Sequence, residues 1–433
     1  WHAQELLADG RGRLFGFHDS NALAGILNEL LDDPSALHEL RRKAYTYGRQ
    51  MIWPLIGEQY ADLIGDMVRS YTEVTVKEGA IVNPLVLPPF DLSHVRQFTD
   101  DTGIIQHAKY SVPSRKQGYC LDDNARGVLM AAMAYRQKRD PVALQLLPTY
   151  LSYIDFMQRD DGLFRNFLSY NRNFLDEVGS EDAFGRTIWA LGYLIRFSPN
   201  DAFFQLAKEL FFRAYPHFQN MRSIRGIADT IIGICHYLHC YSSDEGMHET
   251  VKEMVRRIVI QYGDEADDDW RWFEPTVTYD SGIVPLALFH AYEITGDETV
   301  LAVAREMLDF LEKIIFRDGY LAPVGSNGWY QRGEQCAQYA QQPIDVMAIV
   351  MMLYQASVVI GDRHLLDRMV ASFMWFLGEN DLRIPLYDFE TCGCCDGLEG
   401  HGVNRNQGAE SILAYLISHL TVLLAHEQET QWL

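Results

Sequence analysis

What the sequence lacks most clearly is positive charge. Its 433 residues hold 37 lysines and arginines against 59 aspartates and glutamates, a formal net charge of −22. A nucleic-acid surface needs clustered basic side chains to neutralise phosphates, so nucleic acid is excluded as a partner, whereas neutral sugars and cationic groups are not. No apolar run reaches the length expected of a membrane span, and no basic, apolar, small-residue leader opens the chain. The first residue is Trp1 rather than Met, which leaves the native start open. Cysteine is scarce as well: Cys120, Cys235, Cys240, Cys336, Cys392, Cys394 and Cys395. An odd count in a long chain without a leader reads as reduced thiols in a cytoplasmic setting. Hydrophobic residues at 48% and charged residues at 22% are ordinary for a packed globular protein, which sets disorder and fibre aside.

From about residue 118 a pattern repeats. Nearly all-apolar segments rich in small residues begin at Leu121 (LDDNARGVLMAAMAY), Glu181 (EDAFGRTIWALGYLI), Ile224 (IRGIADTIIGICHYL), Tyr279 (YDSGIVPLALFHAYEI), Gln341 (QQPIDVMAIVMMLYQA) and Asn406 (NQGAESILAYLISHLTVLL). Segments apolar all round are helices packed on both sides. Between them lie amphipathic segments from Pro141, Ala202, Glu249, Glu298 and His364, charged on one face as outer helices should be. The sixth outer helix is expected around Trp53 to Val74. Six inner and six outer helices close into an all-α (α/α)6 toroid, preceded by a short α/β remnant. The expected boundaries are 1–50 for the remnant, 51–117 for a linker helix and extended segment, and 118–433 for the toroid.

The connections are asymmetric. Inner-to-outer links are short and turn-like, such as TGDE from Thr295 and GDR from Gly361. Outer-to-inner links are long and aromatic, including those from Arg159, Gly263, Arg317 and Glu379. Long ordered loops in compact domains are usually functional, so the site belongs at the ring mouth where inner helices begin.

Residues from Leu6 to Arg49, with GRGRLF and DSNALAGILNELLDD, resemble the C-terminal end of a retaining GT-B glycosyltransferase. The nucleotide-sugar pocket of that fold is absent, so the resemblance implies no transferase activity for this chain. The remainder resembles a bacterial glycosidase-like toroid domain that is fused behind, or encoded beside, such transferases. The matching segments are FTDDTGIIQHA, GYCLDDNAR, NFLSYNRNFLDEVGSEDAFGRTIWALG, WRWFEPTVTYDSG, SNGWYQRGEQCAQYAQQPID and CDGLEGHGVNRNQGAES. The resemblance implies an oligosaccharide or glycoconjugate ligand and no cofactor. DSGI at Asp280 departs from the pattern, where DNAR is expected, which puts a role for that turn in doubt.

Glycoside hydrolysis needs two carboxyl groups across the scissile bond, and toroid hydrolases resemble inverting enzymes. Asp122, Asp123, Glu181, Asp182, Glu274, Asp280, Asp345 and Glu410 all fall at or near inner-helix starts. The helix dipole favours carboxylates there, and for most of these acids plain helix capping is the competing role. Glu274 precedes Pro275 in an aromatic loop and is not an obvious cap, so it is the expected proton donor, desolvated by Trp270, Trp272 and Phe273. Asp123 or Asp182 is then the base. Arg126 and Arg186 sit one turn beyond these acids, positioned to orient carboxylates or sugar hydroxyls or simply to pair within their helices. Trp270, Trp272, Trp329, Tyr330, Phe164 and Tyr170 are expected to offer ring faces to sugars, or else to pack the loops. Gln341, Gln342, Asn404, Asn406 and Gln407 supply neutral hydrogen-bonding groups. Cys392, Cys394, Cys395 and His401 have zinc-ligand chemistry but an unusual spacing, and no metal is expected. Two other functions stay open: a sugar 2-epimerase using His107 and His401 as proton shuttles, and a non-catalytic glycan-binding domain.

Overall fold

A computed structural model describes residues 2–52, scattered positions between 56 and 64, and 87–431. The chain divides into two compact units, 1–79 and 80–433. In the first, α1 (His2–Leu6), α2 (Ser20–Asp32) and α3 (Pro34–Gly48) follow one another. Asp19 caps α2 by accepting from Ala22 N, and Asp33 caps α3, whose first residue is Pro34. No residue of α2 or α3 is buried.

The second unit begins with α4 (Ser93–Phe98) and continues into the ring. Its inner helices are α5 (Leu121–Lys138), α7 (Glu181–Phe197), α9 (Ile224–Cys240), α11 (Ile283–Thr295), α13 (Pro343–Ile360) and α15 (Ala409–Gln431). Each packs on the next, and α15 packs back on α5, so the circle closes. The outer helices are α6 (Pro141–Met157), α8 (Asp201–Ala214), α10 (Glu245–Glu265), α12 (Glu298–Ile315) and α14 (His364–Met374). This is the expected all-α (α/α)6 toroid. Short α4 packs on α15, and no outer helix follows α15 among the described residues. The segment considered for the sixth outer helix, Trp53 to Val74, lies almost wholly outside the described residues. Residues 93–117, read from sequence as an extended approach to the ring, belong to it: His94 Nε2 bonds to Gln407 O at 3.0 Å, and Ile104 N donates to Asn124 Oδ1 at 3.1 Å.

The small residues of the inner helices have a packing reason. A Cβ added to Gly192 would lie 2.1 Å from Gly233 O, and one added to Gly233 would lie 2.4 Å from Ile188 O. Helices α7 and α9 therefore touch backbone to backbone, closer than any side chain permits. The expectation that no segment is long enough to span a membrane needs correction, because Pro343–Ile360 and Ala409–Glu427 pass by length and composition. Both are ring helices, mostly buried in protein, which is why they are apolar all round.

Short inner-to-outer turns end α11 and α13 with left-handed Gly296 and Gly361. Outer-to-inner loops carry short antiparallel pairs instead. Tyr119–Cys120 pairs with Phe167–Leu168, Thr276–Val277 with Tyr330–Gln331, and Gly397–Glu399 with Gly402–Asn404. The first two pairs tie neighbouring loops together around the mouth, and the third is a hairpin within one loop.

Candidate functional site

A cavity of about 710 Å3 opens at the inner-helix N-termini. Four inner helices place acids in their first turns: Asp122 and Asp123 on α5, Glu181 and Asp182 on α7, Asp345 on α13, and Glu410 on α15. Capping is not what most of these acids do. The N-cap of α5 is Cys120, which makes no side-chain cap bond, and α7 is capped by Ser180 through Ala183 N. Glu181 is the exception in kind. Its carboxylate accepts from Arg222 N and Ser223 N and holds the approach to α9, away from the cavity wall.

Asp123 is buried on the wall. Arg126 Nη1 donates to it at 3.0 Å and Cys120 Sγ at 3.1 Å. Burial pushes its carboxyl up to about 7, only partly offset by the Arg126 charge. Arg126 also pairs with Glu410 at 3.0 Å, and Glu410 remains 45% exposed at the opening. Across the first turn of α7, Asp182 accepts from the hydroxyls of Ser223 and Tyr279. Asp122 accepts from Arg186. Behind Arg186 lies a buried acid cluster: Asp280 at 3.2 Å and Asp229 at 4.0 Å. Asp280 N in turn donates to Asp345 Oδ1 at 2.5 Å. Both oxygens of Asp229, Oδ1 of Asp280 and Oδ2 of Asp345 have no hydrogen-bond partner. Burial drives all three carboxyls up; Arg186 is the largest opposing charge for Asp229 and Asp280, with Arg126 adding to it. Arg186 is held charged by Asp122, Asp229 and Asp280 against its own burial. Three raised carboxyls crowd around one buried guanidinium, so the cluster favours protonated acids more than free aspartates do.

Of the residues singled out from sequence, Asp122, Asp123, Arg126, Asp182, Arg186, Trp329, Gln342, Glu410 and His107 line the cavity together. Asp280 and Asp345 stand behind that wall. Glu274, the expected proton donor, does not line it. Its carboxylate pairs with Arg225 at 3.2 Å, and Arg225 is further fixed by Tyr279 O and Thr278 Oγ1. The aromatic loop that was to desolvate Glu274 turns into the core: Trp270, Trp272 and Phe273 are all buried. Trp270 packs on Phe310 and Tyr330, so Tyr330 is a packing residue too. His401 is exposed on a hairpin turn, and Asn406 accepts from Tyr110 N at 2.9 Å. Neither lines the cavity. No group of histidines, cysteines or acids with metal-holding geometry occurs among the described residues.

Sequence reading passed over several residues in and behind the wall. Tyr279 and Ser223, which anchor Asp182, gave no signal, because a tyrosine before a helix and a serine N-cap are commonplace. Asp229 did give one, a lone acid inside an otherwise apolar helix. Phe167, Asp396, Glu399 and Gln106 also face the cavity. Asp396 accepts from Gly408 N and Ser411 Oγ, both at 2.8 Å, and so seats the start of α15.

No protein-family model and no curated protein matches the sequence at a significant level. Solved structures do match in fold. Cellobiose 2-epimerase from Bacillus thermoamylovorans aligns with TM-score 0.61 at 12% identity, covering 77% of this chain and 95% of that one. A family 76 glycoside hydrolase from a bovine Bacteroides thetaiotaomicron strain aligns with TM-score 0.56 at 11% identity, covering 78% and 76%. An inactive α-1,6-mannanase of Salegentibacter sp., with two consecutive aspartates replaced by asparagine and α-1,6-mannotriose bound, aligns with TM-score 0.52 at 12% identity, covering 77% and 96%. What these proteins share with this chain is the (α/α)6 toroid itself.

Proposed function

We propose that this chain is an inverting glycoside hydrolase acting on an oligosaccharide or glycoconjugate bound in the mouth cavity. The observation that carries the reading is a pair of acids in contrasting surroundings on one wall. Asp123 is buried and holds its proton up to about pH 7, as a general acid must. Asp182 is oriented by two hydroxyls, Ser223 and Tyr279, as a carboxylate that positions water would be. Asp123 thus takes the donor role first given to Glu274, whose pairing with Arg225 keeps it out of the cavity. Trp329, Phe167 and Tyr279 offer ring faces to sugar C–H groups, and Gln342, Asn404 and Gln106 offer hydrogen bonds to hydroxyls. The Salegentibacter mannanase adds support, since Asp122 and Asp123 are consecutive aspartates in this cavity. It also makes Asp122 the alternative partner to Asp123. On the likeness of residues 6–49 to a transferase terminus, a fused or adjacent glycosyltransferase is the proposed partner.

A second reading has one observation of its own. His107 lines the cavity, and the toroid is shared with cellobiose 2-epimerases, so a C2 proton shuttle is the rival chemistry. One experiment separates these readings. Manno-, gluco- and galacto-oligosaccharides are incubated in D2O with wild type, Asp122→Asn, Asp123→Asn, Asp182→Asn and His107→Ala. Release by the wild type with anomeric inversion, abolished by Asp123→Asn with binding kept, is expected. Deuterium at C2 without release, lost in His107→Ala, replaces the hydrolase with an epimerase. Binding with neither outcome leaves a glycan-binding domain.

A further inference from the structure

The inner helices end at the face opposite the mouth, and there a second cavity of about 160 Å3 opens between them. Arg136 in the last turn of α5 and Arg196 in the last turn of α7 line it, with His236 of α9, His290 and Glu293 of α11, and Gln355 of α13. Both guanidinium groups lie over the Phe197 ring, 3.6 and 4.9 Å from its centroid. Neither has a carboxylate within ion-pair distance among the described residues. Arg136 Nη1 reaches only the Tyr193 hydroxyl, at 3.4 Å, and Arg196 Nη1 only His236 Nδ1, at 3.3 Å. A guanidinium has no acceptor, so His236 Nδ1 accepts and its ring proton sits on Nε2. His290 is buried, 7% exposed, and its Nδ1 faces Glu293 Oε2 at 4.0 Å without a hydrogen bond.

Cations at helix C-termini answer the backbone dipole, which accounts for the sign of the two arginines. It does not account for a cavity between them or for donors left unused. Glu293 is the one carboxylate on this wall, and it is engaged by Gln355 Nε2 at 2.9 Å and faces His239 at 3.6 Å. The surplus charge is positive, in a molecule whose net charge is −22. Burial disfavours the charged form of Arg196; Glu293 opposes this, and the nearby Arg136 charge adds to it. An anion between the two guanidiniums would relieve both. The space suits a tetrahedral oxyanion with part of its bearer, since one water needs about 10–15 Å3 by a comparable measure.

We propose that this end of the ring binds a phosphate group, free or carried on a small molecule, gripped by Arg136 and Arg196 with His236 Nε2–H as a further donor. Fork-shaped guanidinium donors match phosphate geometry, and charge-assisted bonds to it are the strong kind. The proposal is independent of the chemistry at the mouth. Its test is calorimetric titration of the full chain with inorganic phosphate and with mannose 6-phosphate, at constant ionic strength in chloride. Saturable binding is expected, weakened about tenfold or more by Arg136→Gln and by Arg196→Gln. Tighter binding of the sugar phosphate marks a phosphomonoester as the ligand, and equal binding marks free phosphate. Should either variant fail to fold, phenylglyoxal labelling of the wild type replaces it, with phosphate expected to protect Arg136 and Arg196. Absence of phosphate-specific binding in the wild type, survival of binding in both variants, or labelling unaffected by phosphate overturns the proposal.

Discussion

Replacing Asp123 by Asn tests the donor assignment through stability as well as rate. Asn is the neutral isostere of the protonated acid. It keeps one oxygen for Arg126, while its amide NH2 replaces the oxygen that accepts from the Cys120 thiol. The wild-type carboxyl is raised from an ordinary value of 3.8 to about 7 by burial. The folded chain thus favours the protonated form, so stability is full below the unfolded value and is lost as pH rises through 7. At about 1.4 kcal/mol per pH unit, holding Asp123 ionised costs the fold about 4 kcal/mol, of which about 3 kcal/mol is incurred between pH 5 and 9. Asn incurs none of it. Chemical denaturation of both proteins at pH 5 and pH 9 should show the difference in unfolding free energy moving by about 3 kcal/mol in favour of the variant. Sugar release should meanwhile be lost at both pH values. A gap that stays constant with pH would mean that Asp123 is ionised throughout, and the donor assignment would fall with it.

The wild-type kcat/KM should decline above about pH 7 as Asp123 loses its proton, and a rate flat to pH 9 would oppose this. Asp182→Asn should lower kcat by about 10²- to 10⁴-fold, the range of general base catalysis, and Tyr279→Phe by less, both with glycan affinity retained. Glu274→Gln should leave release unchanged, since its partner is Arg225 outside the cavity. Arg186→Met should destabilise by about 3–5 kcal/mol, because it removes the buried cation that pairs with Asp122 and Asp280; an unchanged urea midpoint would oppose this. Gly192→Ala should cost about 3 kcal/mol, because its methyl would meet Gly233 O at 2.1 Å; unchanged urea midpoints would mean that α7 and α9 are not in backbone contact.

The ring was legible because its signal is periodic and repeated. Six apolar segments, five of them followed by a short turn and then a one-sided helix, leave few other ways of burying that surface. The mouth was legible for the same reason, since loop length alone marks one face. Which acids meet there was only partly legible. Asp123, Asp182 and Arg126 share first turns with the apolar repeats, so register places them on the wall. Glu274 misled because tryptophans beside a carboxylate in a long loop suggest a lined pocket as readily as a packed one. Nothing local reveals that Arg225, two helices of sequence away in register, reaches it. The Tyr279–Asp182 bond likewise joins residues 97 positions apart, and only the closed ring brings them together.

Closure itself has a consequence for biosynthesis. In an open solenoid each repeat rests on the one before, so the structure can grow stably from its first repeat. Here α5 and α15 are neighbours, so the flank of the first inner helix stays bare until the last is made. Glu410, which pairs with Arg126 beside Asp123, arrives with that final helix. A nascent or truncated chain ending before Ala409 would carry five-sixths of the wall, an open seam and no completed cavity. Such a chain should need chaperoning until the last turn of synthesis closes it.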